Sequence, residues 1–137
     1  MQQYLIFNLE QQFYAVEINK VKEVAKTHQI TTLPHLPKEI KGITILRGRT
    51  IPIIDIALKW KKRHRDSLVI KEYVIVLDID GEEVGWLVDE IIDIVGWETK
   101  DLKRIDWGED LKEQALVQTA FIQEGQFIGI LSEKAFQ

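Results

Sequence analysis

Cysteine is absent from the 137 residues. That removes disulfides, thiolate metal sites and a cysteine nucleophile together, and it fits a reducing compartment. Proline is scarce, with three in all. No uninterrupted apolar stretch reaches the roughly 18–20 residues needed to span a bilayer. The start, MQQYLIFNLE, lacks the basic segment and apolar run of a secretory signal. These absences lead to the expectation of a cytoplasmic protein without membrane insertion. An excess of one charge sign is missing too: the formal net charge is -4, far from the strongly basic face that general nucleic-acid binding requires.

Catalytic constellations are equally wanting. The eight glycines form neither G-x-G-x-x-G nor G-x-x-x-x-G-K-S/T, so no phosphate-cradling loop is written here. His28, His35 and His64 are widely spaced, without the i, i+4 pairing or accompanying carboxylates of a metal site. Ser67 sits in a basic loop without nucleophile-elbow glycines. The expectation is no catalytic residue, no metal and no cofactor, and therefore no enzyme.

What remains is an ordinary globular composition, 45% hydrophobic and 29% charged, in a chain long enough to bury roughly 65–70% of its unfolded surface. Most of it reads with period two or as short apolar runs ended by turns, the pattern of strands. YLIFNLE (4–10) and FYAVEI (13–18) are expected to form a hairpin through Gln11 and Gln12. NKVKEVAK (19–26) carries Val21, Val24 and Ala25 at helical spacing, with Asn19 as cap, and predicts a short helix. ITTLP (30–34) is extended, and 34–37 is loop. ALKWKKRHRD (57–66) predicts a second short helix running into a basic loop. Asp80-Gly81 and Glu124-Gly125 are hairpin turns between YVIVLDI and EEVGWLVDEIIDIV, and within AFIQEGQFIGIL. About ten short strands without a βαβ rhythm give an all-β protein, closed into small barrels or folded as a pair of sheets to avoid open edges.

Three features invite functional readings. LDIDGEE (77–83) alternates Asp78, Asp80 and Glu82, but hydrophobic strands flank it where a calcium loop needs helices and a final glutamate, so the hairpin is the better reading. KWKKRHR (59–65) sets five basic residues beside Trp60, and a solvated loop is favoured over a nucleic-acid contact. KGITILRGRTIPIIDI (41–56) places Arg47 and Arg49 about a turn at Gly48. Arg47 is either an ion-pair partner of a local carboxylate or a forked donor held by strands and aimed at an acidic partner. Arg49 reads as solvated, and Pro52 requires an edge or irregular strand.

The order of these segments resembles the CheW family of bacterial chemotaxis coupling proteins, from about Tyr4 to Ala135 and hence a domain over 4–135. Its centre is G-x-x-x-L-R-G-x-x-x-P-x-x-D, carried by Gly42, Leu46, Arg47, Gly48, Pro52 and Asp55. A second anchor, V-G-x-x-V-D-x-V, is matched by Val84, Gly85, Val88, Asp89 and Ile91. The resemblance implies two five-stranded SH3-like β-barrels packed around a shared core, with halves expected at 12–68 and 69–131 and the chain ends crossing between them. It further implies a non-enzymatic adaptor between the cytoplasmic tips of methyl-accepting chemotaxis receptors and the regulatory domain of the histidine kinase CheA, recruited to membrane-associated receptor arrays.

By the same resemblance Arg47 matches an arginine of receptor and kinase coupling. Val21, Glu23 and Gly42 match interaction surfaces of the first barrel. Gly85, Ile91 and Ile94 match positions near a groove between barrels where a receptor hairpin docks. The expected first helix adds Val24 beside Val21 on one apolar face. The chain departs from the family pattern in lacking a proline-containing linker near 103–114, in Thr119-Ala120 where glycine is common, and in a short end without a long helix. At 137 residues a free-standing coupler is expected. The rivals are a related adaptor in a twitching or developmental pathway, and a single-stranded nucleic-acid binder.

Overall fold

The computed structural model describes residues 1–26, 29–62 and 73–137. His28, His64, Ser67 and the basic run beyond Lys62 lie outside the described residues. Among the described residues the chain forms eleven strands and two short α-helices. The strands are β1 (Gln2–Leu9), β2 (Gln12–Glu17), β3 (Val21–Lys26), β4 (Ile40–Leu46), β5 (Arg49–Ile54), β6 (Tyr73–Ile79), β7 (Glu82–Val88), β8 (Glu90–Trp97), β9 (Lys103–Arg104), β10 (Val117–Gln123) and β11 (Gln126–Leu131). The helices are α1 (Ile56–Lys59) and α2 (Leu111–Leu116).

Two compact units result, one of Met1–Ile18 with Ile92–Gln137 and one of Asn19–Ile91. This division differs from halves at 12–68 and 69–131. The physical reason is strand pairing: β6 and β7 hydrogen-bond into one sheet with β3, β5 and β4, while the first hairpin joins the last one through a parallel β2–β11 ladder.

The first unit is a six-stranded sheet in the order β8-β1-β2-β11-β10-β9. Although β8 and β10 are four places apart in that order, Trp97 stacks on Phe121 with centroids 4.3 Å apart. The sheet is therefore rolled up. Inside the roll Tyr4, Ile6, Ala15, Trp97, Ile128 and Ile130 form a buried cluster, and Tyr4 meets Trp97 at 5.4 Å.

The second unit is a five-stranded sheet in the order β3-β6-β7-β5-β4, with Ile51, Ile53, Val74, Val76 and Leu87 as its core. Trp86 is buried and meets Trp60 edge-on at 5.3 Å. Pro52 lies on an internal strand, not an edge. Its ladder partner Ile43 directs both backbone groups to Thr31, and the β5–β7 pairing begins only at Ile53, so the missing donor falls outside both ladders.

Four two-residue hairpins recur: Glu10-Gln11, Arg47-Gly48, Asp80-Gly81 and Glu124-Gly125, each with both residues at positive φ. That is the turn whose twist matches the twist of its strands. The first turn is one residue earlier than Gln11-Gln12, because Gln12 already pairs with Leu9. The helix expected over 19–26 is a 3-10 turn at Ile18–Lys20 followed by β3. Its burial alternates strictly, Val21, Glu23 and Ala25 being half-buried and Lys22, Val24 and Lys26 exposed, so Val21 and Val24 face opposite ways. Pairing with the fully buried run Val74–Leu77 of β6 overrides a weak helical spacing. The stretch 82–95 is likewise two strands, parted at Asp89.

Candidate functional site

In the second unit, β3 carries Glu23, the β4–β5 turn carries Arg47, the first residue of β5 is Arg49, and β7 carries Glu83. The curl of the sheet gathers these four charges. Arg47 Nη2 stands 3.4 Å from Glu23 Oε2, and Arg49 Nη2 stands 3.9 Å from Glu23 Oε1. Arg49 Nη1 donates a hydrogen bond to Glu83 Oε1. The series is Glu83, Arg49, Glu23, Arg47, alternating in sign, with zero net formal charge. The carboxylates are the covered members, Glu23 19% and Glu83 23% exposed, and the guanidinium groups the open ones, Arg49 48% and Arg47 77%. Arg47 is thus the solvent end of a charge relay anchored in the sheet.

Arg47 belongs to a turn, not to a strand face, and its φ of 50° is the left-handed geometry that this type of hairpin demands. Glu10, Asp80 and Glu124 occupy the equivalent place in their hairpins. The local conformation of Arg47 is therefore turn geometry, and its functional interest lies in its side chain. The local ion pair expected from the sequence is present, with Glu23 as its carboxylate, and the Arg47 side chain is 77% exposed.

Aliphatic side chains are exposed on β3 and β4. Val24 follows Glu23 and is exposed, and Ile45, two residues before Arg47, is exposed by 69%. Val21 is half-buried on the other face of β3. A further ion pair, Lys22 Nζ to Asp78 Oδ2 at 3.7 Å, ties β3 to β6.

The two glycines of the expected site are interior. Gly42 is buried, and a Cβ there would run into the Thr31 carbonyl and lie 2.8 Å from Ile30 Cγ2. It lets the chain before β4 lie against the Thr31–Ile43 bridge. At Gly85 a Cβ would lie 2.6 Å from Ile53 Cδ1 and 2.7 Å from Val74 Cγ1, inside the core. Both glycines are buried and shape the scaffold. Ile91 is half-buried and Ile94 exposed, as is Ile92. Ile91 belongs to the second unit and Ile94 to the first. The structure brings Glu23 and Arg47 together, with Val24 adjoining.

Sequence reasoning missed Arg49 and Glu83 as members of this cluster. Their link depends on β5 running parallel to β7, a pairing that no short-range signal announces. Asp55 is buried, and its carboxylate caps α1 by accepting from the Leu58 N–H at 3.2 Å. Its N–H donates to the Glu39 carbonyl at 2.7 Å. Asp55 is therefore a structural member of the motif.

The first unit holds a surface depression of about 460 Å³, lined in part by Tyr4, Glu17, Leu102, Thr119, Ile130 and Lys134. Burial, and secondarily the Glu17 carboxylate, raise the Tyr4 pKa, so the phenol keeps its proton. Elsewhere in the unit, burial pushes Tyr14 to about 12. Neither tyrosine is poised as a base near neutral pH. No grouping of three or more metal-ligating side chains occurs among the described residues.

The second unit is thus a rolled sheet whose charge relay ends on an open turn, with Val24 and Ile45 exposed on its strands. The chain belongs to the CheW-like domain family, whose model matches residues 3–136. Members of this family are scaffolds or adaptors of chemotaxis, not enzymes. The chain is 34% identical over 102 residues to the chemotaxis protein CheW of Klebsiella aerogenes, a match covering 74% of this chain and 61% of that protein. It is 25% identical over 138 residues to CheW of Bacillus subtilis, covering 96% and 83% respectively. Among solved structures, the scaffolding protein TtCheW from Thermoanaerobacter tengcongensis superposes with a TM-score of 0.78 at 25% identity, over 96% of this chain and 88% of that one. The rolled sheets are thereby SH3-like barrels of six and five strands, the former gaining its sixth from the two-residue β9.

Proposed function

We propose that this chain couples chemoreceptors to the histidine kinase CheA, holding the receptor tip and the kinase regulatory domain together through contact faces, without a cofactor. It works in the cytoplasm and is recruited to receptor arrays at the membrane. No helix among the described residues is long and apolar enough to cross a membrane. Support comes from family membership and from the names of the relatives, each a chemotaxis protein or scaffold. One observation carries the assignment of the face: Arg47 stands 77% exposed on the β4–β5 turn, held on Glu23, with Ile45 exposed two residues before it. Arginine beside exposed aliphatics is the composition of a contact centre, where the apolar area supplies affinity and the charge supplies orientation. Val21, Val24, Glu23 and Arg47 serve the second unit's contacts, Gly42 and Gly85 keep their strands in place, and Ile91 and Ile94 meet the receptor helix through apolar anchors.

Charge reversal tests the assignment. Arg47→Glu is expected to weaken binding by about 2–5 kcal/mol if the arginine meets a buried carboxylate of the partner. Calorimetric titration against the kinase regulatory domain and against a receptor-tip fragment measures this. Unchanged affinity for both would take Arg47 out of the interface.

A further inference from the structure

Arg47 is a long side chain on a two-residue turn, yet it is held by a carboxylate. That carboxylate, Glu23, is four-fifths covered, and its Oε1 has no hydrogen-bond partner among the described residues. Arg49 Nη2 stands beside this oxygen at 3.9 Å, within ionic range but beyond a hydrogen bond. The other arm of the Arg49 fork is fixed on Glu83, whose Oε2 is likewise buried without a hydrogen bond. Arg49 therefore has one arm anchored and one arm short of its acceptor.

A guanidinium fork is planar and can serve two carboxylates at once. Drawing Arg47 outward would leave Glu23 largely covered and uncompensated, which is costly for a desolvated charge. With Arg49 at hand, a small rotation closes the remaining gap, and Glu23 keeps a cation.

We propose that Arg49 is a positioning residue for partner docking: anchored on Glu83, it takes over the Glu23 carboxylate and so releases Arg47 to an acidic side chain of the partner. This rests on the reading of the Arg47 face as a contact surface. Without Arg49, Arg47 is the only cation left to Glu23 in the relay, and its transfer outward is opposed by the carboxylate it would abandon. The partner group is a carboxylate, because the side chain released is a guanidinium.

A double-mutant cycle on the full chain tests this, with binding to the CheA regulatory domain of the same organism read by calorimetry and folding checked by thermal melts. Arg47→Ala is expected to weaken binding by about tenfold or more, in line with the loss of a central arginine contact. Arg49→Met is expected to weaken it by roughly three- to tenfold in the natural background and by less than about twofold once Arg47 is already alanine, the mark of coupled residues. Arg49→Lys, keeping the charge, is expected to recover most of the loss. Should Arg49→Met melt below the assay temperature, Arg49→Gln, which still donates to Glu83, replaces it. An Arg49 effect of equal size in both backgrounds, or no effect while Arg47→Ala does weaken binding, overturns the positioning role and leaves the contact face standing. Unchanged binding in Arg47→Ala overturns both.

Discussion

Gly85 and Arg47 fall in the same pair of motifs but answer to different physics. A Cβ at Gly85 would press on Ile53 and Val74, two side chains with no exposed surface. Gly85→Ala is therefore expected to cost about 1–3 kcal/mol through overpacking, seen as a lower melting temperature. Arg47 makes a solvent-exposed ion pair, worth at most about 1 kcal/mol, so Arg47→Ala is expected to lower the melting temperature by no more than about 3–5 °C, by the size scaling of such shifts, while losing partner affinity. Tyr14 supplies a third residue-level test. Burial raises its pKa from 10.0 to about 12 in the folded chain, so folding favours the protonated phenol. That contribution is complete below pH 10 and is lost as the pH rises through about 12. Alkaline denaturant melts should show stability falling by up to about 1.4 kcal/mol per pH unit in this window, and Tyr14→Phe should flatten the decline. A flat profile in the natural chain would contradict the burial assigned to this ring.

At the scale of elements, caps and turns fix where each strand stops. Asp55 is buried and caps α1, a helix of four residues that cannot hold itself. Asp55→Ala is expected to lose about 1–2 kcal/mol, measurable by denaturant titration, with Asp55→Asn losing less because it keeps the capping oxygen. Hairpins containing Gly48, Gly81 and Gly125 were legible in the sequence because glycine marks a positive φ. The hairpin at Glu10-Gln11 was legible only to within one residue, having no glycine to mark it. β3 was misread because six residues suffice for either period, and only its partner β6 decides between them. α2 was hidden in a charged stretch, although Asp110 caps it by accepting from the Glu113 N–H, and the D-x-x-E spacing at 110–113 was the available signal. The Arg47–Glu23 pair joins the β4–β5 turn to β3, which is not its ladder neighbour, so sequence offered Arg47 as a candidate without naming its carboxylate. Arg49 and Glu83, 34 positions apart, needed the parallel β5–β7 pairing to meet.

For the whole molecule, each unit has its own buried cluster and its own rolled sheet. Chain continuity still makes the first unit a composite of both ends, since β2 and β11 are parallel partners. Scaffolding asks for rigid surfaces more than for a reactive centre, and paired ladders hold surface side chains such as Glu23 and Arg49 to fixed positions. The formal charge of -4 keeps long-range steering mild, so the salt dependence of partner binding is expected to come from the local charge relay. The most direct measurement is reconstitution: kinase autophosphorylation followed with CheA and a receptor fragment, with and without this protein. Receptor-dependent control of phosphorylation that appears on adding the chain, and fails with Arg47→Glu, is the predicted result. Phosphorylation that ignores the receptor whether or not the protein is present would contradict the coupling role.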